Sequence, residues 1–160
     1  DPNMPPPDKF GVSDVTDLSW KNLLDAYSCT ECGRCTSSCP ANITGKKLSP
    51  RKIMMDTRDR ADELGKAKDV NGADYHDGKS LHDYISQEEL LACTTCNACV
   101  EACPININPL EIIFGMRQYQ TLEKSNMPSE WAMMNSNIEN NQAPWQFSPS
   151  DRANWTNDII

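Results

Sequence analysis

The chemistry in this sequence lies in its eight cysteines, which fall in two short runs. The first reads Cys29-Thr30-Glu31-Cys32-Gly33-Arg34-Cys35-Thr36-Ser37-Ser38-Cys39-Pro40. The second reads Cys93-Thr94-Thr95-Cys96-Asn97-Ala98-Cys99-Val100-Glu101-Ala102-Cys103-Pro104. Each has the spacing C-x2-C-x2-C-x3-C-P with no cysteine left over, and this spacing holds [4Fe–4S] clusters. Three thiolates at two-residue gaps let one tight turn reach three corners of a cubane and aim backbone N–H groups at its sulfides. The fourth cysteine begins a helical stretch with its side chain turned away, and in two-cluster proteins it ligates the other cluster. The expected ligand sets are Cys29, Cys32, Cys35 and Cys103 for cluster 1, and Cys93, Cys96, Cys99 and Cys39 for cluster 2. Such cross-ligation would staple the two halves of the chain together.

Other uses of the cysteines fit less well. Structural zinc prefers two separated C-x2-C pairs, and thiolates this crowded suit it poorly. Disulfides between cysteines two residues apart are strained, and nothing supports an oxidising compartment. Two clusters imply one-electron transfer, and the sequence has no catalytic constellation to set beside them: no P-loop, no GxGxxG, no HExxH. A structural zinc module and a cluster-based redox sensor remain as alternatives. The net charge of −8 weighs against a nucleic-acid partner.

The elements that position these runs read as helices. Asp17 is the expected N-cap of a helix with Trp20, Leu23, Leu24 and Tyr27 on one face. Ser49-Pro50 supplies N-cap and N1 for a helix to about Leu64, its buried face being Ile53, Met54, Thr57 and Ala61. Ser86 with Glu89 reads as a capping box. Asn108-Pro109 starts a helix directing Ile112, Ile113, Met116 and Tyr119 to the core, and a short helix is expected from Pro128 to about Asn137. Gly65 to Lys79 reads as a polar connector with turns at Asn71-Gly72 and Asp77-Gly78. No strand-like alternation is present, so the predicted fold class is mainly α, as two pseudo-symmetric halves of helix, cluster loop and helix.

The remaining polar and apolar groups have plain readings. His76 and His82 are expected in solvent, and Asp56, Asp59, Asp62 and Glu63 on a solvated helix face. Lys46, Lys47, Arg51 and Lys52 form a basic patch after the first run, fit for tuning a cluster, docking an acidic partner or simply facing water. Met54, Met55, Met116, Met133 and Met134 read as core filler. Apolar residues make up 38% of the chain, a modest core that metal centres would reinforce. No apolar run approaches the ~20 residues that cross a bilayer. The opening residues lack the basic start and apolar stretch of a secretion signal. A first residue other than Met and the ending at Asp158-Ile159-Ile160 are expected of a piece of a longer protein.

Short bacterial ferredoxins place the same motif on a β-rich fold with few residues between the runs. Here the 53 residues from Pro40 to Ala92 include a full helix. The arrangement resembles the α-helical ferredoxin domain that ends the iron–sulfur subunits of succinate dehydrogenase and fumarate reductase. Thr30 to Cys35, Ser49-Pro50-Arg51-Lys52, Ala92 to Pro104, and Ser136 to Asn141 with Pro144-Trp145 are similar to iron–sulfur proteins of the heterodisulfide-reductase-related type. These include the subunits of anaerobic glycerol-3-phosphate dehydrogenase and glycolate oxidase. In such proteins a haem-binding membrane region often precedes the dicluster domain and CCG repeats follow it; this chain has no Cys-Cys pair. The resemblance implies a relay module of a membrane-associated oxidoreductase, on the cytoplasmic side of the membrane. Its partner would be a dehydrogenase, CCG-repeat or haem-binding region. The expected organisation is a flexible Pro-rich lead-in over 1–16, a two-cluster domain over 17–138, and an aromatic-containing tail or linker over 139–160.

Overall fold

The structure is a computed structural model and describes residues 9–159, so residues 1–8 of the expected lead-in lie outside the described residues. Among the described residues every regular element is helical: α1 (Trp20–Ser28), α2 (Arg34–Ser37), α3 (Pro40–Ile43), α4 (Pro50–Asn71), α5 (Gln87–Ala92), α6 (Ala98–Glu101), α7 (Pro109–Leu122) and α8 (Ser129–Asn141). The mainly α expectation holds. The chain forms two compact units, one ending at Lys124 and one beginning at Ser125.

In the first unit the two halves repeat one plan: a helix leading into a cysteine run, a short helix inside it, and a longer helix started by proline. Ser49 accepts the Lys52 N–H at 3.3 Å to cap α4, and Asn108 accepts the Leu110 N–H at 3.1 Å to cap α7. Pro50 and Pro109 follow at N1, where the missing N–H costs nothing. Ile53, Met54 and Thr57 of α4 are buried, as are Ile112, Ile113 and Met116 of α7. These side chains form the core between the cysteine runs. The capping box at the start of α5 is present, with Glu89 accepting the Ser86 N–H at 2.9 Å.

Five features differ from the sequence reading. The cap of α1 is Ser19, which closes a box with Asn22; Asp17 instead accepts the N–H groups of Ser13 and Asp14 in the preceding turn. The expected apolar face of α1 largely faces water, with Trp20 77%, Leu24 54% and Tyr27 52% exposed. Ala26 is fully buried there, and its small side chain lets α1 close onto α4. Helix α4 runs past Leu64 to Asn71, where Gly72, at φ 101, ends it. Gly65 does not interrupt it, because one interior glycine costs only ~1 kcal/mol.

The fourth difference concerns the carboxylates of α4, which are partnered rather than merely solvated. Asp56 pairs with Lys52 at 2.6 Å, Asp62 accepts the Tyr27 hydroxyl at 2.5 Å, and Glu63 bonds Lys79 and Tyr84. Fifth, Met54 and Met116 fill the core as expected, but Met133 and Met134 are exposed.

Residues 9–17 pack into the first unit. Val12 and Val15 are buried, and the Val12 N–H donates to the Gly115 carbonyl at 2.8 Å. The close approach depends on glycine: a Cβ on Gly11 would lie 2.4 Å from the Gly115 carbonyl oxygen and from the Tyr119 nitrogen. Arg60, 1% exposed, ties this segment and the connector to α4. Its guanidinium donates to both oxygens of Asp14 at 3.0 and 2.6 Å, to both of Asp77 at 2.5 and 2.9 Å, and to the Lys79 carbonyl at 3.0 Å.

The second unit contains α8 and a 3-10 stretch at Pro149–Asp158. Asn137 donates to the Pro144 carbonyl at 3.1 Å and fixes the turn that follows α8. Trp145, Phe147 and Trp155 are exposed.

Candidate metal centres

The two cysteine runs have the same local geometry. Cys29 and Cys93 each end a helix in extended conformation, at φ −67, ψ 116 and φ −71, ψ 122. Left-handed residues then alternate with cysteines: Glu31 (φ 58) and Gly33 (φ 81) flank Cys32, and Thr95 (φ 59) and Asn97 (φ 63) flank Cys96. Alternation of this kind turns successive N–H groups to one side of a loop, a concavity that suits anionic sulfur. Cys35 then sits on α2 and Cys99 on α6, and these short helices pack against each other.

That packing sorts the thiols into two cavities. Cys29, Cys32, Cys35 and Cys103 line the first, and Cys39, Cys93, Cys96 and Cys99 line the second. Cys99 also borders the first and so stands between them. Three cysteines in each group come from one run and the fourth from the other. Apolar side chains close both cavities: Met54, Ile107 and Pro109 at the first, Leu48, Leu110 and Ile113 at the second. Cys39 and Cys99 are buried, whereas Cys32 and Cys96 reach the surface.

The donor chemistry fits an iron–sulfur group. All eight cysteines are free of disulfides. Burial pushes the Cys99 thiol up to about 11, and charge on Cys93 adds to it. Burial also raises Cys35, with Cys29 and Cys103 contributing as like charges. Thiolates gathered this closely need a cationic partner to ionise together, and ferric and ferrous iron supply it. At the surface the Ala98 N–H holds the Cys96 thiol below its ordinary value. Among the described residues no group of three or more His, Cys, Asp or Glu is arranged around a single ion. Four or more thiols line each of two cavities, the donor number that a [4Fe–4S] cluster takes. The eight cysteines therefore fit two [4Fe–4S] clusters.

The other residues singled out in the sequence lie apart from the cavities or around their rims. Neither histidine lines a cavity. His76 is exposed, but His82 is half-buried, contrary to expectation: it stacks on Tyr119 at 5.4 Å, with the Val12 carbonyl at 3.1 Å and Gln120 at 3.2 Å. The basic patch is dispersed. Lys52 pairs with Asp56 and Glu89, Lys47 pairs with Glu88, and Arg51 lines the first cavity beside Arg34.

Three contacts on the cysteine runs escape a motif search. Thr36 and Ser49 share a hydroxyl hydrogen bond of 2.9 Å that joins the first run to the cap of α4. Arg58 pairs with Glu31 at 2.8 Å, and Arg117 donates to the Leu90 and Cys93 carbonyls. For the arginines a signal exists in the sequence: both stand at the same distance from a helix-starting proline.

The family model for the 4Fe–4S dicluster domain matches residues 28–107, which contain both runs. The EtfAB:quinone oxidoreductase of Syntrophomonas wolfei is 31% identical over 96% of this chain and 24% of its own length. A probable membrane-anchored ferredoxin of Chromohalobacter salexigens is 34% identical over 94% of this chain and 24% of its own length. One component of the ferredoxin:CoB-CoM heterodisulfide reductase of Methanosarcina mazei is 32% identical over 59% of this chain and 46% of its own length. The chain thus spans about a quarter of the first two and under half of the third. No described helix is long and apolar enough to cross a membrane.

Proposed function

The chain belongs to the 4Fe–4S dicluster domain family, and from that premise we propose that it is a two-cluster electron relay within a larger, membrane-associated oxidoreductase. Cluster 1 is held by Cys29, Cys32, Cys35 and Cys103, and cluster 2 by Cys93, Cys96, Cys99 and Cys39. One observation supports the reading: the thiols assigned to cluster 1 all line the first cavity and those assigned to cluster 2 all line the second, with Cys99 bordering both, and each set draws its fourth member from the distant run.

When bound, each cluster supplies a one-electron couple. The protein's residues do the rest. Met54, Leu48, Leu110 and Ile113 keep water from the inner faces of the cavities, which favours a defined potential and guards against loss of iron. Cys39 and Cys99, both buried, lie on the side where the two runs face each other; Cys32 and Cys96, at the surface, offer sites of exchange with partners. The role is the transfer of single electrons.

The partners are redox proteins or domains. Two relatives are named as a quinone oxidoreductase and a membrane-anchored ferredoxin, and both are about four times longer than the matched segment. A dehydrogenase, CCG-repeat or haem-binding membrane region would stand at one end of the relay, on the cytoplasmic face of the membrane. Within this chain residues 17–138 form the relay domain, and 139–160 serve as a tail or linker.

Cys39→Ser tests the ligand assignment. The cluster held by Cys93, Cys96 and Cys99 should be damaged, with the other retained, as read by iron content and EPR of the reduced protein. Selective loss of the cluster held by Cys29, Cys32 and Cys35 would overturn the cross-ligation.

A further inference from the structure

The two halves of the first unit repeat more than their cysteines. Set Pro50 of α4 over Pro109 of α7, and the buried positions coincide: Ile53 with Ile112, Met54 with Ile113, Thr57 with Met116, each at most 1% exposed. The next position in this register is Arg58 in one half and Arg117 in the other. Each leaves its helix to meet the cysteine run of its own half.

The two contacts have diverged. Arg58 pairs with the Glu31 carboxylate at 2.8 Å and with Asp59 at 3.3 Å, so two anions share its charge. Glu31 is the left-handed residue (φ 58) before Cys32, and the pair holds its side chain against α4. Arg117 makes no such pair among the described residues. Its guanidinium donates through Nε to the Leu90 carbonyl at 2.9 Å and through a terminal nitrogen to the Cys93 carbonyl at 2.6 Å. Leu90 lies in the last turn of α5, and its carbonyl also accepts the Cys93 N–H at 3.3 Å, so the guanidinium joins the hydrogen bond that closes the helix. Cys93 is itself one of the cavity cysteines.

We propose that Arg117 is the positioning residue for the loop of cluster 2 and raises that cluster's potential, while Arg58 is its charge-cancelled counterpart on the loop of cluster 1. The inference rests on the ligand assignment above. Bridging two carbonyls on either side of the helix end fixes the direction in which Cys93 leaves α5. The charge follows from the same contact: reduction adds one electron to a cluster, and an unpaired cation bonded to a ligand's own peptide favours the reduced form. Glu31 and Asp59 remove that effect from Arg58.

The test is a dithionite redox titration of the anaerobic protein followed by EPR, in the wild type, R117Q, R117K and R58Q. Cys32→Ser and Cys96→Ser each perturb one centre and so identify the two waves. In R117Q the reduced-to-oxidised ratio of cluster 2 at a fixed potential should fall about tenfold, about 59 mV for one electron. Cluster 1 should stay in place. R117K keeps the charge and should shift cluster 2 by less than half as much; R58Q should leave cluster 2 unmoved. Cluster 2 unshifted in R117Q, both clusters shifted equally, or R117K falling as far as R117Q would each overturn the inference. Should R117Q fail to hold cluster 2, the comparison of R117K with wild type decides by the same limit. A wild type lacking two one-electron waves would instead overturn the two-cluster reading beneath it.

Discussion

At the scale of single residues, the cysteine loops show how two different side chains meet one backbone demand. Gly33 and Asn97 occupy the same place, directly after the central cysteine, at φ 81 and 63. Glycine takes this conformation freely, and asparagine tolerates it better than most residues. A Cβ at Gly33 would meet only an Arg51 guanidinium nitrogen at 3.9 Å, so space does not restrict the position; conformation does. Gly33→Ala should therefore cost about 1–2 kcal/mol through left-handed strain alone. It should speed iron loss from cluster 1 to a chelator, with cluster 2 unaffected, while Asn97→Gly should leave both clusters in place. Bleaching of visible absorbance in the two variants reads the difference. Equal and unchanged rates in Gly33→Ala would show that the loop relaxes out of this conformation.

At the scale of elements, what the sequence made legible depended on how local the cause was. The caps at Ser49, Ser86 and Asn108 and the proline starts follow from neighbouring residues, and the structure has them all. The exposure of α1 was not legible. Its apolar spacing points to a buried stripe, but the helix is placed by Ala26 against α4 and by Asn22, which donates to Glu111 at 2.7 Å, a residue 89 positions away. The burial of Val12 and Val15 was hidden for the same reason, since Gly11 is informative only once Gly115 and Tyr119 of α7 lie beside it. Gly11→Ala should displace the segment by forcing a methyl group into backbone at 2.4 Å, at a cost of about 1–3 kcal/mol. Hydrogen exchange should show protection lost first at the Val12 amide, which bonds the Gly115 carbonyl. Unchanged protection there would place the segment's anchorage elsewhere. The two cysteine runs were legible because their spacing is short and specific; of the arginines that contact the loops only the matched distance from the helix-starting prolines could be read, because each contact crosses between elements.

At the scale of the whole molecule, a chain of −8 net charge keeps its buried cation fully paired. Arg60 joins residues 9–17, α4 and the connector at one point, and its hydrogen bonds hold the Asp77 carboxyl well below the ordinary carboxylate range. A carboxyl depressed by folding contributes stability that is present above its unfolded value, about 3.9, and is lost as pH falls through its folded value. Asp17 and Glu89 are lowered in the same direction, through hydrogen bonds from Lys9 and from Ser86 and Lys52 that outweigh their burial. Thermal stability of the holoprotein should thus be level near neutral pH and decline below about pH 4. Arg60→Leu should lower stability at neutral pH by about 3–5 kcal/mol, because Asp14 and Asp77 lose their partner. Its acid decline should also be shallower than the wild type's. An identical acid slope would show that the Asp77 carboxylate beside Arg60 does not govern it.

The central claim is that this molecule holds two [4Fe–4S] clusters on its eight cysteines as an electron relay. The most direct measurement is iron and acid-labile sulfide per chain in anaerobically purified protein, with EPR before and after dithionite reduction. About eight irons and eight sulfides per chain, and a reduced spectrum of two interacting centres, are the predicted result. Zinc without labile sulfide in strictly anaerobic protein, or a single centre of about four irons, would contradict it.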